Sequence, residues 1–68
     1  MVYTFPERLK ELRAERHIST RELAKEIGCS NMAISRWERG TQIPGIDKLM
    51  QLAIFFNVST DYLVGFED

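Results

Sequence analysis

Residues 19–40, STRELAKEIGCSNMAISRWERG, decide the fold of this 68-residue chain. Their apolar side chains recur at helical spacing on either side of a short break at Gly28, which predicts two short helices. Ser19 and Glu22 have the spacing of a capping box, in which each side chain bonds a free backbone N–H of the first turn. Gly28 can end this helix in the left-handed conformation, and the Ser30 hydroxyl can cap the next helix. So tight a joint predicts that the two helices cross steeply.

This stretch resembles the helix-turn-helix of the lambdoid phage repressor and Cro family, which is also called XRE-like. Residues typical of the family stand at Ser19, Leu23-Ala24, Gly28-Cys29-Ser30, Ile34-Ser35, Trp37-Glu38 and Gly40. The chain departs from the family pattern at Thr20, where Gln is frequent, and at Cys29, where Val is commoner. The resemblance continues through Leu9, Leu12-Arg13 and residues 58–63, so it covers nearly the whole chain. It implies a lambda-repressor-like DNA-binding domain with its helix-turn-helix motif at about residues 19–39.

The rest of the chain predicts three further helices. Thr4-Phe5-Pro6-Glu7 has the pattern of a second capping box, and the helix it opens runs to about Arg16. A Pro-Gly loop precedes a helix over about 46–56 with a left-handed terminator at Asn57. Ser59 caps a last helix that ends at Gly65. We therefore expect an all-α fold of five short helices in a single domain, residues 1–68.

Composition limits the class of protein. The chain is 44% apolar, which suits a globular domain, and its single cysteine excludes an internal disulfide and fits a reducing compartment. No apolar run approaches the roughly 20 residues of a membrane span, and the N-terminus does not have the layout of a signal peptide. These features, with the resemblance, predict a cytoplasmic protein of bacterial or phage origin with no membrane partner.

The formal net charge of −1 is unusual for a DNA-binding protein, for which a basic footprint is expected. The charge is unevenly distributed. Residues 1–40 contain eight basic and six acidic residues, whereas residues 41–68 contain one basic and four acidic residues. Because charges more than roughly 10 Å away are screened at ordinary salt, a local basic surface near the motif can still bind DNA. We expect modest non-specific affinity.

The resemblance assigns base reading to the outer face of the second motif helix. Asn31 could pair with adenine and Arg36 with guanine, each through two hydrogen bonds, and Met32 could contact a thymine methyl group. Ser35 could reach a base edge or a phosphate. The alternative is that these four side chains are ordinary solvated surface residues.

Phosphate contacts are expected on either side of this face. Thr20 and Arg21 begin the first motif helix, where free N–H groups and the helix dipole favour an anion. Arg39, Thr41 and Gln42 match family positions that hold the DNA backbone, and such contacts fix register without reading sequence. The alternative for each of these five residues is an ordinary polar surface position.

Arg13 and Glu38 resemble the family's interhelical ion pair, which orients the recognition helix. A catalytic role for Glu38 finds no support, because its own helix contains no second carboxylate, histidine or nucleophile at a suitable spacing. His17 has no Cys or His partner at metal-ligand spacing, and Cys29 is alone. The sequence therefore predicts no enzyme activity, no metal and no cofactor.

Two functions remain open at this point. The first is a sequence-specific transcriptional regulator of double-stranded DNA, a repressor that acts by occupying its operator. The second is a protein–protein module that reuses the same fold, such as an antitoxin-type partner-binding domain. The second would be expected to present apolar or acidic residues on the recognition face, whereas this face is polar and basic.

Apolar residues beyond the needs of so small a core predict self-association. Met50, Ile54 and Phe55 have no obvious place inside, and Tyr62, Val64 and Phe66 add apolar surface near the C-terminus. An alternative is that some of them, Tyr62 above all, cover the ends of the core. We expect a homodimer through the fourth helix, the fifth helix and the tail, formed mainly on a palindromic operator.

Overall fold

A computed structural model describes residues 3–66, and within them the chain forms five helices and no strand. The helices are α1 (Phe5–Glu15), α2 (Thr20–Ile27), α3 (Asn31–Arg39), α4 (Ile46–Phe56) and α5 (Thr60–Val64). The predicted all-α architecture of five short helices is confirmed. No helix in this part of the chain is long and apolar enough to cross a membrane.

One core unites the five helices, and each helix contributes at least one fully buried side chain. These side chains are Phe5, Leu9, Leu23, Ile34, Leu52 and Leu63. Burying one such side chain contributes about 1.5–3 kcal/mol, so the helices are stabilised mainly by packing rather than by their own propensity. Ile18 packs against this core from the α1–α2 link, and Trp37 of α3 is buried in it.

Local sequence signals set most helix ends. Ser59 accepts a hydrogen bond from the Tyr62 N–H at 3.0 Å, and Asn57 adopts the left-handed conformation with φ of 57°. α1 ends differently from the other helices, because its C-cap residue Arg16 keeps the right-handed conformation and the left-handed residue is the next one, His17, with φ of 56°. The His17 side chain is exposed to solvent.

The predicted capping box at Thr4 is wrong. Thr4 precedes α1, but its side chain makes no capping hydrogen bond, and its buried hydroxyl oxygen has no hydrogen-bond partner among residues 3–66. The Thr4 N–H donates instead to the Val64 carbonyl at 3.3 Å, which joins the start of α1 to the end of α5. This tertiary hydrogen bond accompanies a backbone conformation at Thr4, φ −118° and ψ 15°, that is not the extended one of an N-cap.

Arg8 of α1 and Arg16, the residue that follows α1, each lie against an aromatic side chain that was expected to add surplus apolar surface. Arg8 stacks 4.0 Å from the centre of the Tyr62 ring and donates to the Tyr62 carbonyl at 2.9 Å. Arg16 lies 5.0 Å from the centre of the Phe55 ring, which is half-buried against the core. The expectation that Phe55 lacks a place in the core is therefore wrong. Tyr62 is half-buried beside Arg8.

Candidate nucleic-acid interface

Hydrogen bonds at both ends of α2 hold the helix in place. The Ser19 N–H donates to Glu22 Oε1 at 2.8 Å and the Glu22 N–H donates to Ser19 Oγ at 3.1 Å, so the predicted capping box is present. These bonds to Ser19 favour the carboxylate and lower the pKa of Glu22 below its usual value. At the other end Gly28 adopts φ of 81°, and its N–H donates to the Ala24 carbonyl at 2.8 Å.

A lysine from α4 supports the turn between α2 and α3. Lys48 Nζ donates to the carbonyl oxygens of Ile27 and Gly28, at 3.3 and 3.4 Å. A cation at a helix C-terminus satisfies carbonyl groups that have no partner within the helix and opposes the negative end of the dipole. No pattern in the sequence predicted this contact, because Lys48 lies 20 residues further along the chain.

Helix α3 begins at the Ser30 cap, whose Oγ accepts from the Ala33 N–H at 3.1 Å. Ile34 and Trp37 point into the core, so the opposite side of the helix faces outward. Met32 is 57% exposed and Arg36 is also exposed, whereas Asn31 and Ser35 are half-buried. The four predicted base-reading residues thus share one face of α3, but only Met32 and Arg36 project freely from it.

A hydrogen bond that no sequence pattern predicted joins Thr20 to Asn31. The Thr20 hydroxyl donates to Asn31 Oδ1, which links the first residue of α2 to the first residue of α3. In this arrangement the hydroxyl proton of Thr20 is not available to a phosphate oxygen. The Asn31 amide is held with its oxygen toward α2 and with its NH₂ group free of this bond.

The predicted phosphate-contacting residues flank this face. Arg21, Arg39 and Gln42 are exposed. Thr41 is also exposed, but its hydroxyl donates to the Arg36 carbonyl at 3.3 Å and its N–H donates to the same oxygen at 3.0 Å. Thr41 therefore helps to end α3, immediately after the left-handed Gly40.

The predicted Arg13–Glu38 contact is present and joins α1 to α3. Arg13 donates from Nε to Glu38 Oε2 at 2.7 Å and from Nη2 to Oε1 at 3.0 Å, a two-point arrangement. Its Nη1 donates to the Ile18 carbonyl at 2.9 Å, so the same guanidinium also fixes the link to α2. Glu38 is only 8% exposed. The hydrogen bond to Glu38 raises the pKa of Arg13 above its usual value.

The structure offers little support for other chemistry in residues 3–66. No group of three or more His, Cys, Asp or Glu residues is placed to hold a metal ion there. Cys29 is half-buried beside the turn, and desolvation raises the pKa of its thiol against the opposing effect of Lys48. A thiol with a raised pKa is poorly nucleophilic at neutral pH.

The capped α2–α3 pair, with an exposed face on α3, defines a helix-turn-helix protein. A helix-turn-helix family profile matches residues 9–63. The chain belongs to this family, in the branch of phage repressors and related regulators that is called XRE-like. The family resemblance predicted from the sequence is confirmed. The family consists of non-enzymatic DNA-binding regulators, which agrees with the prediction that the chain is not an enzyme.

Named relatives in this family are transcriptional regulators. The HTH-type transcriptional regulator ImmR of Bacillus subtilis is 40% identical over 58 residues, which are 85% of this chain and 46% of ImmR. The HTH-type transcriptional activator BcrR of Enterococcus faecalis is 34% identical over 64 residues, 94% of this chain and 31% of BcrR. This chain thus spans less than half of the length of either relative.

A solved structure with a similar fold is that of the P22 c2 repressor, a protein of Salmonella phage P22, in complex with a synthetic operator. The TM-score is 0.88 and the sequence identity is 35%. The similarity covers 93% of this chain and 96% of that one. The lambda-repressor-like arrangement of the five helices that was expected from the sequence is therefore confirmed.

Proposed function

We propose that this chain binds double-stranded DNA in a sequence-specific manner and represses transcription by occupying an operator. The observation that carries the proposal is the outward face of α3, which apart from the exposed Met32 is polar and basic and which is held in place at both ends and from α1. A helix fits the major groove, where each base pair presents a distinct pattern of donors and acceptors. An apolar or acidic face, which a protein-binding variant would be expected to carry, is not what α3 presents.

Base reading is assigned to Asn31, Met32, Ser35 and Arg36. Arg36 is exposed in the last turn of α3 and can donate two hydrogen bonds to a guanine. Asn31 suits adenine, and the Thr20 hydroxyl would fix the orientation of its amide before DNA arrives. Met32 supplies an apolar contact for a thymine methyl group. Pre-orientation of Asn31 lowers the conformational cost of binding.

Phosphate binding is assigned to both sides of α3. The first two N–H groups of α2, at Thr20 and Arg21, have no partner within the helix and lie at its positive end. They would bind one phosphate together with the Arg21 side chain. On the other side Arg39 and Gln42 would bind a second phosphate, with Thr41 shaping the loop between them. These contacts would position the domain without reading the sequence.

Two copies would bind a palindromic operator as a homodimer. The recognition helices of such a dimer lie about 34 Å apart, which matches successive major grooves on one side of the duplex. A symmetric protein on a symmetric site doubles the number of base contacts.

Selection of bound sequences from random double-stranded DNA tests the proposal. We expect a recovered site with two inverted half-sites. Arg36→Ala should lose roughly 1–3 kcal/mol of binding free energy on that site and relax the choice at one base pair in each half-site.

The matched control is Lys10→Ala, which removes an exposed cation from α1 rather than from α3. This variant should keep both the affinity and the recovered sequence. Recovery of an unchanged site with Arg36→Ala would show that Arg36 does not read a base. Failure to enrich any sequence with the wild-type chain would contradict sequence-specific binding.

A further inference from the structure

The recognition helix α3 is attached at its two ends to different parts of the fold. Near its C-terminal end, Glu38 is held by Arg13 of α1 through two hydrogen bonds. Its N-terminal end is attached to α2, through the turn at Gly28 and through the bond from the Thr20 hydroxyl to Asn31. α3 packs mainly on these same two helices, α1 and α2. The direction of its first turn therefore depends on where α2 lies.

The end of α2 is in turn fixed from α4. Lys48, in the first turn of α4, is half-buried, and its Nζ lies 3.3 Å from the carbonyl oxygen of Ile27 and 3.4 Å from that of Gly28. Nζ is also 3.9 Å from the position that a Cβ atom of Gly28 would occupy, so the ammonium group lies over the turn. Both hydrogen bonds are long, and the contact depends on the attraction of a full charge for two carbonyl groups at the negative end of a helix.

The packing between α2 and α4 leaves this point poorly constrained without Lys48. An open cavity of about 240 Å³ lies between the two helices. It is lined by Glu26, Ile27, Gln51, Ile54 and Phe55. Side chains next to a void have fewer partner atoms to resist a displacement than side chains in a close-packed interior. Since Ile27 both lines the cavity and supplies a carbonyl oxygen to Lys48, the Lys48 contact provides a constraint where packing is incomplete.

We propose that Lys48 is a positioning residue for DNA reading, which fixes the turn before α3 and so the direction in which Asn31 and Met32 meet the bases. The inference deepens the proposed function, on which it rests, by adding a residue that contacts neither a base nor a phosphate. Arg36 lies two residues before Glu38, where the ion pair with α1 holds the helix. The two ends of the reading face are consequently controlled by two separate contacts.

Lys48→Met tests this role, because methionine has a similar length but neither a charge nor a donor. Selection from random DNA should give a site with weaker preference at the base pairs read by Asn31 and Met32 and with unchanged preference at the pair read by Arg36. Asn31→Ala, Met32→Ala and Arg36→Ala mark these base pairs. Affinity for the wild-type site should fall about two- to fivefold, the factor that corresponds to the roughly 0.3–1 kcal/mol contributed by a cation at a helix C-terminus.

Two matched variants and a salt series control for the loss of charge. Lys48→Arg keeps a cation with donors and should recover the wild-type site. Lys25→Met removes an exposed cation from α2 itself and should also recover it. The slope of log affinity against log salt concentration should be the same for Lys48→Met and the wild type. A phosphate contact of Lys48 would instead make the slope of the variant less steep by about 0.9 per copy.

Hydrogen exchange of backbone amides tests the contact without DNA. The N–H groups of Gly28 and Cys29 both donate to the Ala24 carbonyl, at 2.8 and 3.0 Å. In Lys48→Met these two amides should exchange about two- to fivefold faster, because the turn opens more readily. The Thr41 N–H, which donates to the Arg36 carbonyl at the other end of α3, should exchange at its wild-type rate. Circular dichroism checks that the variant is folded.

Equal losses of preference at all base pairs in Lys48→Met would overturn the proposal, because they indicate general destabilisation. An equal rise in exchange at Gly28 and Thr41 would do the same. An unchanged recovered site for Lys48→Met would also overturn it, whatever the exchange rates, as would a Lys48→Arg variant that behaves like Lys48→Met. A less steep salt slope would make Lys48 a phosphate-binding residue instead.

Failure of the wild-type chain to enrich any sequence would contradict the proposed function rather than the contact. The exchange rates of Gly28 and Cys29 would still decide in that case whether Lys48 fixes the turn. Wild-type rates for both amides in Lys48→Met would show that it does not.

Discussion

At the scale of single residues, the structure depends strongly on the guanidinium of Arg13. It makes two hydrogen bonds to the buried carboxylate of Glu38 and one to the Ile18 carbonyl. Loss of one partner from a buried ion pair leaves a charge without compensation, which is far more costly than loss of an exposed pair. Glu38 is nearly inaccessible to solvent, whereas the Arg13 side chain is 23% exposed.

Arg13→Ala should therefore lower the free energy of unfolding by about 3 kcal/mol, the lower end of the range for buried pairs. The measurement is urea denaturation followed through the fluorescence of the single, buried Trp37. The double variant Arg13→Ala with Glu38→Ala should be less destabilised than the sum of the two single variants. A loss below about 1 kcal/mol for Arg13→Ala would show that the pair behaves as a surface ion pair.

Residues differ in how far the sequence predicts their partners. The contact of Arg13 with Glu38 was predicted from family resemblance. The two residues lie 25 positions apart, and no local sequence pattern links them. The bond between Thr20 and Asn31 was missed, although both residues were assigned to the DNA-binding surface. Whether two polar side chains bond each other or a ligand depends on the crossing of their helices, and the sequence does not give this angle.

At the scale of elements, the turn between α2 and α3 sets the direction of the recognition helix. Gly28 ends α2 with φ of +81°, a conformation that strains residues with a side chain. Gly45, the N-cap of α4, has φ of −66°, which any residue can adopt. The two glycines thus form a matched pair, one with a conformational requirement and one without.

Gly28→Ala should lower the free energy of unfolding by about 1–2 kcal/mol, the cost of the left-handed conformation for an alanine. Steric overlap adds little, because the nearest atom to the new methyl group is Lys48 Nζ at 3.9 Å. Gly45→Ala should change stability far less, since its methyl group would meet only a carboxylate oxygen of Asp47, at 3.1 Å, and a small rotation of that side chain relieves the contact. Thermal unfolding of both variants makes the comparison. Equal losses of stability in the two variants would show that a side chain does not strain the left-handed backbone at position 28.

Helix ends were predictable where the signal and its partner lie within one turn. Ser19, Ser30 and Ser59 cap their helices as the sequence predicts, because the hydroxyl needs only an N–H three residues later. The same reasoning failed at Thr4. There the backbone N–H donates to the Val64 carbonyl, 60 residues away, and the backbone does not adopt the extended conformation of an N-cap.

At the scale of the whole molecule, charge is the property that distinguishes DNA binding from binding of a neutral partner. The chain has a net charge of −1, but its exposed arginines include Arg21, Arg36 and Arg39, on or beside the proposed interface. Arg13 is neutralised by Glu38 within the fold, so it adds nothing to an external field. A small number of phosphate contacts, rather than a large basic surface, is what this distribution predicts.

Affinity for the full operator should therefore fall linearly on a plot of log affinity against log salt concentration, with a moderate slope. Each phosphate neutralised by a cation contributes about −0.9 to that slope, because a condensed counterion is released. Arg39→Ala should weaken binding to all sequences alike and make the slope less steep by about 0.9 for each Arg39–phosphate contact that is lost. Lys10→Ala should leave the slope unchanged. Fluorescence anisotropy across a salt series measures both variants, and an unaltered slope for Arg39→Ala would remove Arg39 from the phosphate contacts.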